Sequence, residues 1–482
     1  MGNKSLGRNA LYNIIYKVIN VIFPLISTAY VARVLLADGV GRVSAVQNNV
    51  SYFLILATLG IPVYGLREIA KSKDELDNRS NLFSELFTLN FILTVLAFLL
   101  FNWLVFCNDY FKNEIVLYEI FGLTILLNTF NVDWLFYGLE EYGYIAVRSI
   151  LIKTASFLLL VFFVKGQSDI YVYAIIQVVG ITGNYFLNII RCRKYVSFRL
   201  KKINLLKHIK PLLYLALCSV STELYAKMDI TMLDYLKTND VVGYYANSQK
   251  IINLVVTTLV AVTAVFMPRL SYLFDKDKDE FNKILKVGFE LMVVVSFPAC
   301  IGLILISEPL VFSFLGSDFS RASVTVSILS FMVPLKCVGD LICFQVMMCA
   351  KQERLLMMSY FVTMVVNLIN NLILIPKYGA EGAAIASVIS EVLAFGFVFY
   401  FSRKYFKLHG VHKTIIKTIV CTIVMAAVIY PINLLQISDY LKLLIEVCVG
   451  IFTFVVACIV TKHAVVLQYI GMFTREMRRR NK

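Results

Sequence analysis

The chain has 482 residues, 59% of them apolar and only 16% charged, where a typical soluble protein has about 45–50% apolar and about 25% charged residues. Its formal net charge is +15. The apolar excess lies in long blocks such as Phe91–Phe106, Phe157–Val164 and Val293–Ile306, which excludes a soluble enzyme or a nucleic-acid-binding domain as the body of the protein.

A membrane span needs about 20 apolar residues. About fourteen candidate spans follow one another, starting near residues 10, 43, 83, 114, 145, 170, 211, 241, 285, 322, 355, 380, 412 and 440. The expected fold is therefore an all-α polytopic membrane protein. The basic residues alternate with the spans. They crowd loops 67–81, 191–210, 269–286 and 403–417 and the tail after Arg475. The opposite loops hold one each or none: Lys112, Lys165, Lys237, Arg321 and Lys377. By the positive-inside rule this predicts an even number of spans with both termini cytoplasmic.

The first two spans, Asn9–Leu36 and about Val43–Leu66, form a hairpin with charges inside it. Span 1 carries a polar stripe at helical spacing: Asn13, Lys17, Asn20, Pro24 and Thr28. Span 4, about 114–138, holds Asn128, Asn131 and Asp133 toward its cytoplasmic end, and span 5 holds Lys153. The longest basic loop, 191–210, divides six spans from eight. Span 7, about Pro211–Leu236, carries Glu223, Lys227, Asp229 and Asp234, with Glu223 and Lys227 on one face at i,i+4. Span 8 carries Lys250. Span 10 carries another i,i+4 pair, Lys336 and Asp340, and spans 11 and 12 contain Asn367, Asn370, Asn371 and Glu391. Glu290 and Glu446 read as interfacial.

The hairpin of spans 7 and 8 matches that of spans 1 and 2 at a constant offset of 202 residues. Asp38 pairs with Asp240, Val40 with Val242, Gly41 with Gly243, Gln47 with Gln249 and Arg67 with Arg269. Six spans separate the copies, so the repeat is parallel. The expected organisation is two six-helix lobes, 1–200 and 201–405, followed by spans 13 and 14 with the basic tail at 406–482. Such repeats are usual in transporters, with the substrate between the halves.

An ionisable side chain near mid-bilayer costs at least about 2.5–3.5 kcal/mol on insertion scales, and it survives by facing a cavity or a partner. Lys17, Lys153 and Lys250 have no nearby sequence partner, so they read either as cleft-lining cations or as members of pairs made with other helices. Glu223–Lys227 and Lys336–Asp340 read equally as neutralised structural pairs. Arg33 and Arg42 read as snorkelling at the outer interface. No nucleotide-binding loop, HExxH or GxSxG motif occurs, and the ten cysteines and four histidines show no ligand spacing. No enzyme activity, metal or cofactor is expected.

Four passages resemble the polysaccharide transporter (Wzx-type) branch of the multidrug/oligosaccharidyl-lipid/polysaccharide exporter superfamily. They are Tyr30-Val31-Ala32-Arg33-Val34-Leu35 with Gly39 and Gly41, Asp133–Glu140 followed by Tyr144–Arg148, Val242–Tyr245 through Met267–Leu270, and Leu374–Ala384. Leu36 stands where that family usually has Gly, and Ala37-Asp38 replaces a Pro-Glu pair. The resemblance implies a V-shaped pair of six-helix lobes in the bacterial plasma membrane. It implies movement of an undecaprenyl-pyrophosphate-linked oligosaccharide to the outer leaflet by alternating access, in company with a polysaccharide polymerase and glycosyltransferases. On that basis Lys17, Lys153 and Lys250 are expected to attract the pyrophosphate, with Asn13 and Asn20 meeting sugar hydroxyls. Glu223, Lys227, Asp229, Lys336 and Asp340 are candidates for coupling to H+ or Na+ or for ion pairs in the cleft. A cation-coupled drug or small-metabolite exporter of the same superfamily is the alternative.

Overall fold

The computed structural model describes residues 6–199, 203–263, 266–435 and 437–468; of residues 6–22, 214–215, 217–219 and 221–222 it describes the backbone alone. Every regular element among the described residues is helical. Buried backbone polar groups must be paired within the segment when no water is at hand, and helices do this without outside help.

The chain divides into two compact units, Met1–Asp234 with Thr238–Gly243, and Tyr235–Lys237 with Tyr244–Lys482. The first unit opens with α1, Leu6–Thr58, which contains both expected spans of the first hairpin. No loop separates them. One residue, Leu36, leaves the helical region (φ 59°, ψ −174°) and turns the chain. α2 (Ile61–Lys71) is a short amphipathic helix where the sequence suggested the end of span 2 and the start of a loop. α3 (Leu76–Cys107) and the single turn α4 (Asp109–Lys112) follow. The expected fourth span is broken into α5 (Ile115–Leu127), a 3-10 turn (Asn128–Phe130) and α6 (Asp133–Gly138). The Asn90 amide of α3 donates to the carbonyls of Asn128 (3.0 Å) and Thr129 (3.3 Å), satisfying groups that the break exposes. α7 (Tyr142–Phe163), α8 (Ile170–Cys192) and α9 (Leu206–Leu236) complete the unit. α1 packs on α3, α5 and α7, and α8 packs on α5 and α7. Ile61, Ile69, Phe83, Trp134, Phe136 and Leu212 bury one apolar cluster that joins α2, α3, α6 and the start of α9.

The second unit takes α10 (Asn239–Thr263) from Tyr244 onward. It continues through α11 (Met267–Lys276), α12 (Lys278–Phe314), α13 (Ala322–Ser330) and α14 (Met332–Ile342), which runs into a π-helical turn at Cys343–Met347. α15 (Glu353–Tyr378) and α16 (Ala380–Ser402) form a close hairpin, and α17 (Val411–Asn433) and α18 (Asp439–Val460) pack on each other and on α12. Two carboxylates differ from expectation here. Glu290 accepts from Thr414 at 2.8 Å and so ties α12 to α17, and Glu446 is fully buried on α18.

Among the described residues ten helical stretches are long and apolar enough to cross a membrane, or eleven if α10 and α11 form one bent span. The difference from fourteen has local causes. Phe23–Lys71 counts once although Leu36 divides it, the α5 region Ile115–Phe130 is short, and the apolar run of α9 is interrupted by Glu223, Lys227, Asp229 and Asp234.

Candidate functional site

In the first unit the break in span 4 sets Asp133 at the first residue of α6, facing Arg148 of α7 and Asn188 of α8. The Arg148 guanidinium donates to Asp133 at 2.8 Å and 3.4 Å and also to the Asn188 side-chain oxygen. The Asn188 amide donates to Asp133 in turn. Arg148 and Asn188 are buried, while the Asp133 side chain keeps 29% exposure. The triad neutralises its charge internally and still presents one carboxylate edge. Tyr144 lies under the guanidinium groups of Arg148 (5.5 Å) and Arg191 (4.3 Å), a cation–π arrangement. Lys153 sits half-buried further along α7.

A second polar group joins α1 to α9. Asn48 donates to the Lys227 carbonyl (3.2 Å) and the Thr231 hydroxyl (2.7 Å), and Tyr52 shares a 2.8 Å hydrogen bond with Thr231. Asn49 donates to the Tyr118 hydroxyl at 2.8 Å and to Asp234 at 3.1 Å, and Tyr110 also donates to Asp234. Burial and the neighbouring Asp234 carboxylate hold the Tyr110 phenol far above its ordinary pKa, so it stays a donor. Glu223 and Lys227 close into the i,i+4 ion pair at 2.8 Å, partly exposed, and Asp229 is buried on the same helix. Arg42 does not snorkel. It makes a two-point pair with Glu114 at 2.5 and 2.8 Å.

In the second unit Lys250 projects from the middle of α10 with its side chain exposed, one turn from the fully buried Asn247. Neither side-chain atom of Asn247 has a hydrogen-bond partner. Lys336 and Glu391 are the charged neighbours of Asp340, immediately before the π-helical turn. Such turns frequently accompany functional positions. Asn371 donates to Asn367 at 3.0 Å, and Tyr245 bonds Ser387 at 3.0 Å.

Of the expected site residues, Lys153, Glu223, Lys227 and Asp229 belong to the first unit and Lys250, Lys336 and Asp340 to the second. The side chains of Asn13, Lys17 and Asn20 lie outside the described residues. Sequence reasoning left out Arg148, Asn188, Asn48, Asn49, Tyr52 and Tyr110 as site residues. Arg148 carried a signal, as an arginine in an apolar span downstream of Asp133, but the fold is needed to pair them. Among the described residues no group of three or more His, Cys, Asp or Glu side chains could hold a metal ion.

Long apolar helices that hold amide, carboxylate and cationic side chains on their packed faces define a polytopic membrane protein of the transporter class. The chain matches the family described as "Polysaccharide biosynthesis protein" over residues 6–274, and it belongs to that family, in the Wzx-type branch that its sequence resembles. It is 24% identical over 386 residues to the "Putative O-antigen transporter" of Shigella dysenteriae, covering 78% of this chain and 94% of the relative. A protein of the same name from Escherichia coli (strain K12) is 21% identical over 403 residues, covering 83% and 97%. In fold, the chain is similar to the solved structure of "Lipid II flippase MurJ, inward closed conformation", with a TM-score of 0.71 at 15% identity over 95% of this chain and 100% of that one.

Proposed function

We propose that this polysaccharide flippase carries an undecaprenyl-pyrophosphate-linked oligosaccharide repeat unit from the cytoplasmic to the outer leaflet by alternating access. The product would feed a capsule, O-antigen or exopolysaccharide pathway with a polymerase and glycosyltransferases. The observation that carries this reading is the family match over more than half of the chain. The names of the two transporter relatives support it.

In this reading a lysine meets the pyrophosphate, because an ammonium makes a charge-assisted hydrogen bond to a phosphate oxygen. Lys17, Lys153 and Lys250 are the proposed contacts, with Asn13 and Asn20 toward the sugars. The exposed side chain of Lys250 in mid-span supports a wet surface there, since lipid contact at that depth is costly. Glu223, Lys227, Asp229, Lys336 and Asp340 are the proposed groups for H+ or Na+ coupling or for cleft ion pairs. Residues 1–200 and 201–405 are the proposed moving lobes, 406–482 is appended, and both termini lie on the cytoplasmic side of the inner membrane.

The test is reconstitution in proteoliposomes with a labelled undecaprenyl-pyrophosphate glycan. Lys→Ala at 17, 153 and 250 should each slow flipping, by about tenfold for the loss of one charge-assisted contact of about 1.5 kcal/mol, and Lys→Arg should keep most of it. Full activity in all three alanine variants would sink the cationic cleft.

A further inference from the structure

The two sequence copies at offset 202 meet each other within the first unit. Gly41 lies against the backbone of Asn239. A Cβ at Gly41 would overlap the Asn239 carbonyl oxygen and stand 3.1 Å from the Gly243 nitrogen. Gly243 lies against Ala37 in the same way. A Cβ there would overlap the Ala37 carbonyl oxygen and stand 3.3 Å from the Gly41 nitrogen. Ala37 and Asn239 are themselves 202 residues apart, as Gly41 and Gly243 are. The contact is thus exchanged by a local two-fold: each copy offers a carbonyl and a glycine to the other. This is the self-complementary pattern of an isologous interface, built inside one chain. No side chain fits at either glycine without moving backbone.

Two further features converge on this crossing. Leu36, next to Ala37, holds φ 59° and ψ −174°, a region that is essentially glycine-only and costs about 1–3 kcal/mol for other residues. The end of α9, just before Asn239, is clamped to the same region by Tyr110 and Asn49 through Asp234, and Arg42 beside Gly41 is paired to Glu114. Apart from Asn49, nearly two turns into span 2, these residues lie at or beside the ends of spans away from the basic loops.

We propose that the Gly41–Gly243 crossing is the closure of the transport pathway at its outer end, with Asp234 as the clamp that must release for it to open. The Leu36 turn stores strain in the closed form and so keeps that form close in energy to the open one. This rests on the transport reading above.

The test places a reporter thiol one turn inward. Ser44, buried at 8% exposure, is replaced by Cys. Labelling of the residue-44 peptide by a membrane-impermeant maleimide in intact cells is read by mass spectrometry. G41A and G243A should each raise that labelling roughly tenfold, because overpacking by one methyl costs about 1–3 kcal/mol of the closed form. The double variant should add little beyond either, since both lesions break one contact. D234N should raise labelling by a smaller factor. If either glycine variant fails to accumulate in the membrane, D234N decides by the same readout. Labelling unchanged from the S44C parent in the variants that accumulate overturns the proposal. Labelling needs no substrate. A chain that closes here yet flips no glycan would leave the crossing standing and sink only the transport reading.

Discussion

The Arg148 side chain is 2% exposed and the Asp133 side chain 29%, so the two ends of this ion pair are not equivalent. Removing Asp133 strands a guanidinium in a buried site, without a carboxylate partner and beside Asn188 and the Tyr144 ring. Breaking a buried pair in that way costs about 3–5 kcal/mol. Removing Arg148 strands a carboxylate that already reaches solvent and keeps the Asn188 amide, so the cost is smaller. We expect D133A to lower the thermal midpoint in detergent more than R148A does, followed through the fluorescence of Trp134, next to Asp133 in α6. The reverse order would show that the pair is not buried as described. His463 gives a pH-dependent case. It is 1% exposed just beyond α18 and shares a 3.2 Å contact with Thr418. Burial lowers its pKa, opposed in part by a hydrogen bond that the ring donates to the Thr414 backbone. The folded state therefore resists a proton that the unfolded state accepts near pH 6.5, and stability falls as pH drops through that value. The midpoint of the wild-type protein should decline between pH 7 and pH 5 more steeply than that of H463Q, and parallel declines would remove His463 as the cause. Single residues were legible in the sequence as types rather than as partners. Lys153 and Lys250 could be named because a cation in an apolar run is conspicuous. Asn48 and Asn49 could not be assigned, since an amide in a span shows nothing of the α9 groups it meets.

At the scale of elements, packing decides where periodicity was silent. α2 lies on α6 because Gly65 leaves room for the Trp134 ring, to which a Cβ would come within 2.8 Å. G65A should push the two helices apart at a cost of about 1–3 kcal/mol, read as a lower midpoint with a shifted Trp134 emission. An unchanged midpoint would mean that the ring moves freely. The bend in α1 invites the opposite change. Leu36 holds a conformation that glycine adopts without strain, so L36G should raise the thermal midpoint even though it removes side-chain contacts, provided that the strain of about 1–3 kcal/mol exceeds them. A lowered midpoint would show that Leu36 packing outweighs its strain. The sequence pointed to this place, since Leu36 stands where relatives of this type usually have Gly. It did not show that spans 1 and 2 are joined through this single non-helical residue with no loop between them. The break in span 4 was hidden for a different reason. Asn128 and Asn131 read as polar residues near a helix end, while the interruption depends on Asn90, nearly forty residues earlier, to pair the freed carbonyls.

At the scale of the whole molecule, burial in lipid and positive-inside bias act on composition, and composition is what a sequence displays. That is why the membrane class and the order of spans could be read directly, whereas the crossing at Gly41 and Gly243 needed coordinates. The same bias predicts sidedness, and two native cysteines can check it. Cys107 is exposed at the end of α3, after an odd number of expected spans. Cys349 lies between the π-helical turn and α15, after an even number. With the N-terminus inside, a membrane-impermeant maleimide added to intact cells should label Cys107 and leave Cys349 untouched, and permeabilisation should admit Cys349. The rates should also differ. The thiolate is the reacting species, and burial raises the Cys349 pKa above its ordinary value. Labelling of Cys349 should therefore accelerate as the medium is made alkaline in permeabilised cells. Labelling of Cys349 from outside would invert the membrane orientation. Labelling of both cysteines in intact cells would break the even count of spans on which the proposed parallel lobes depend.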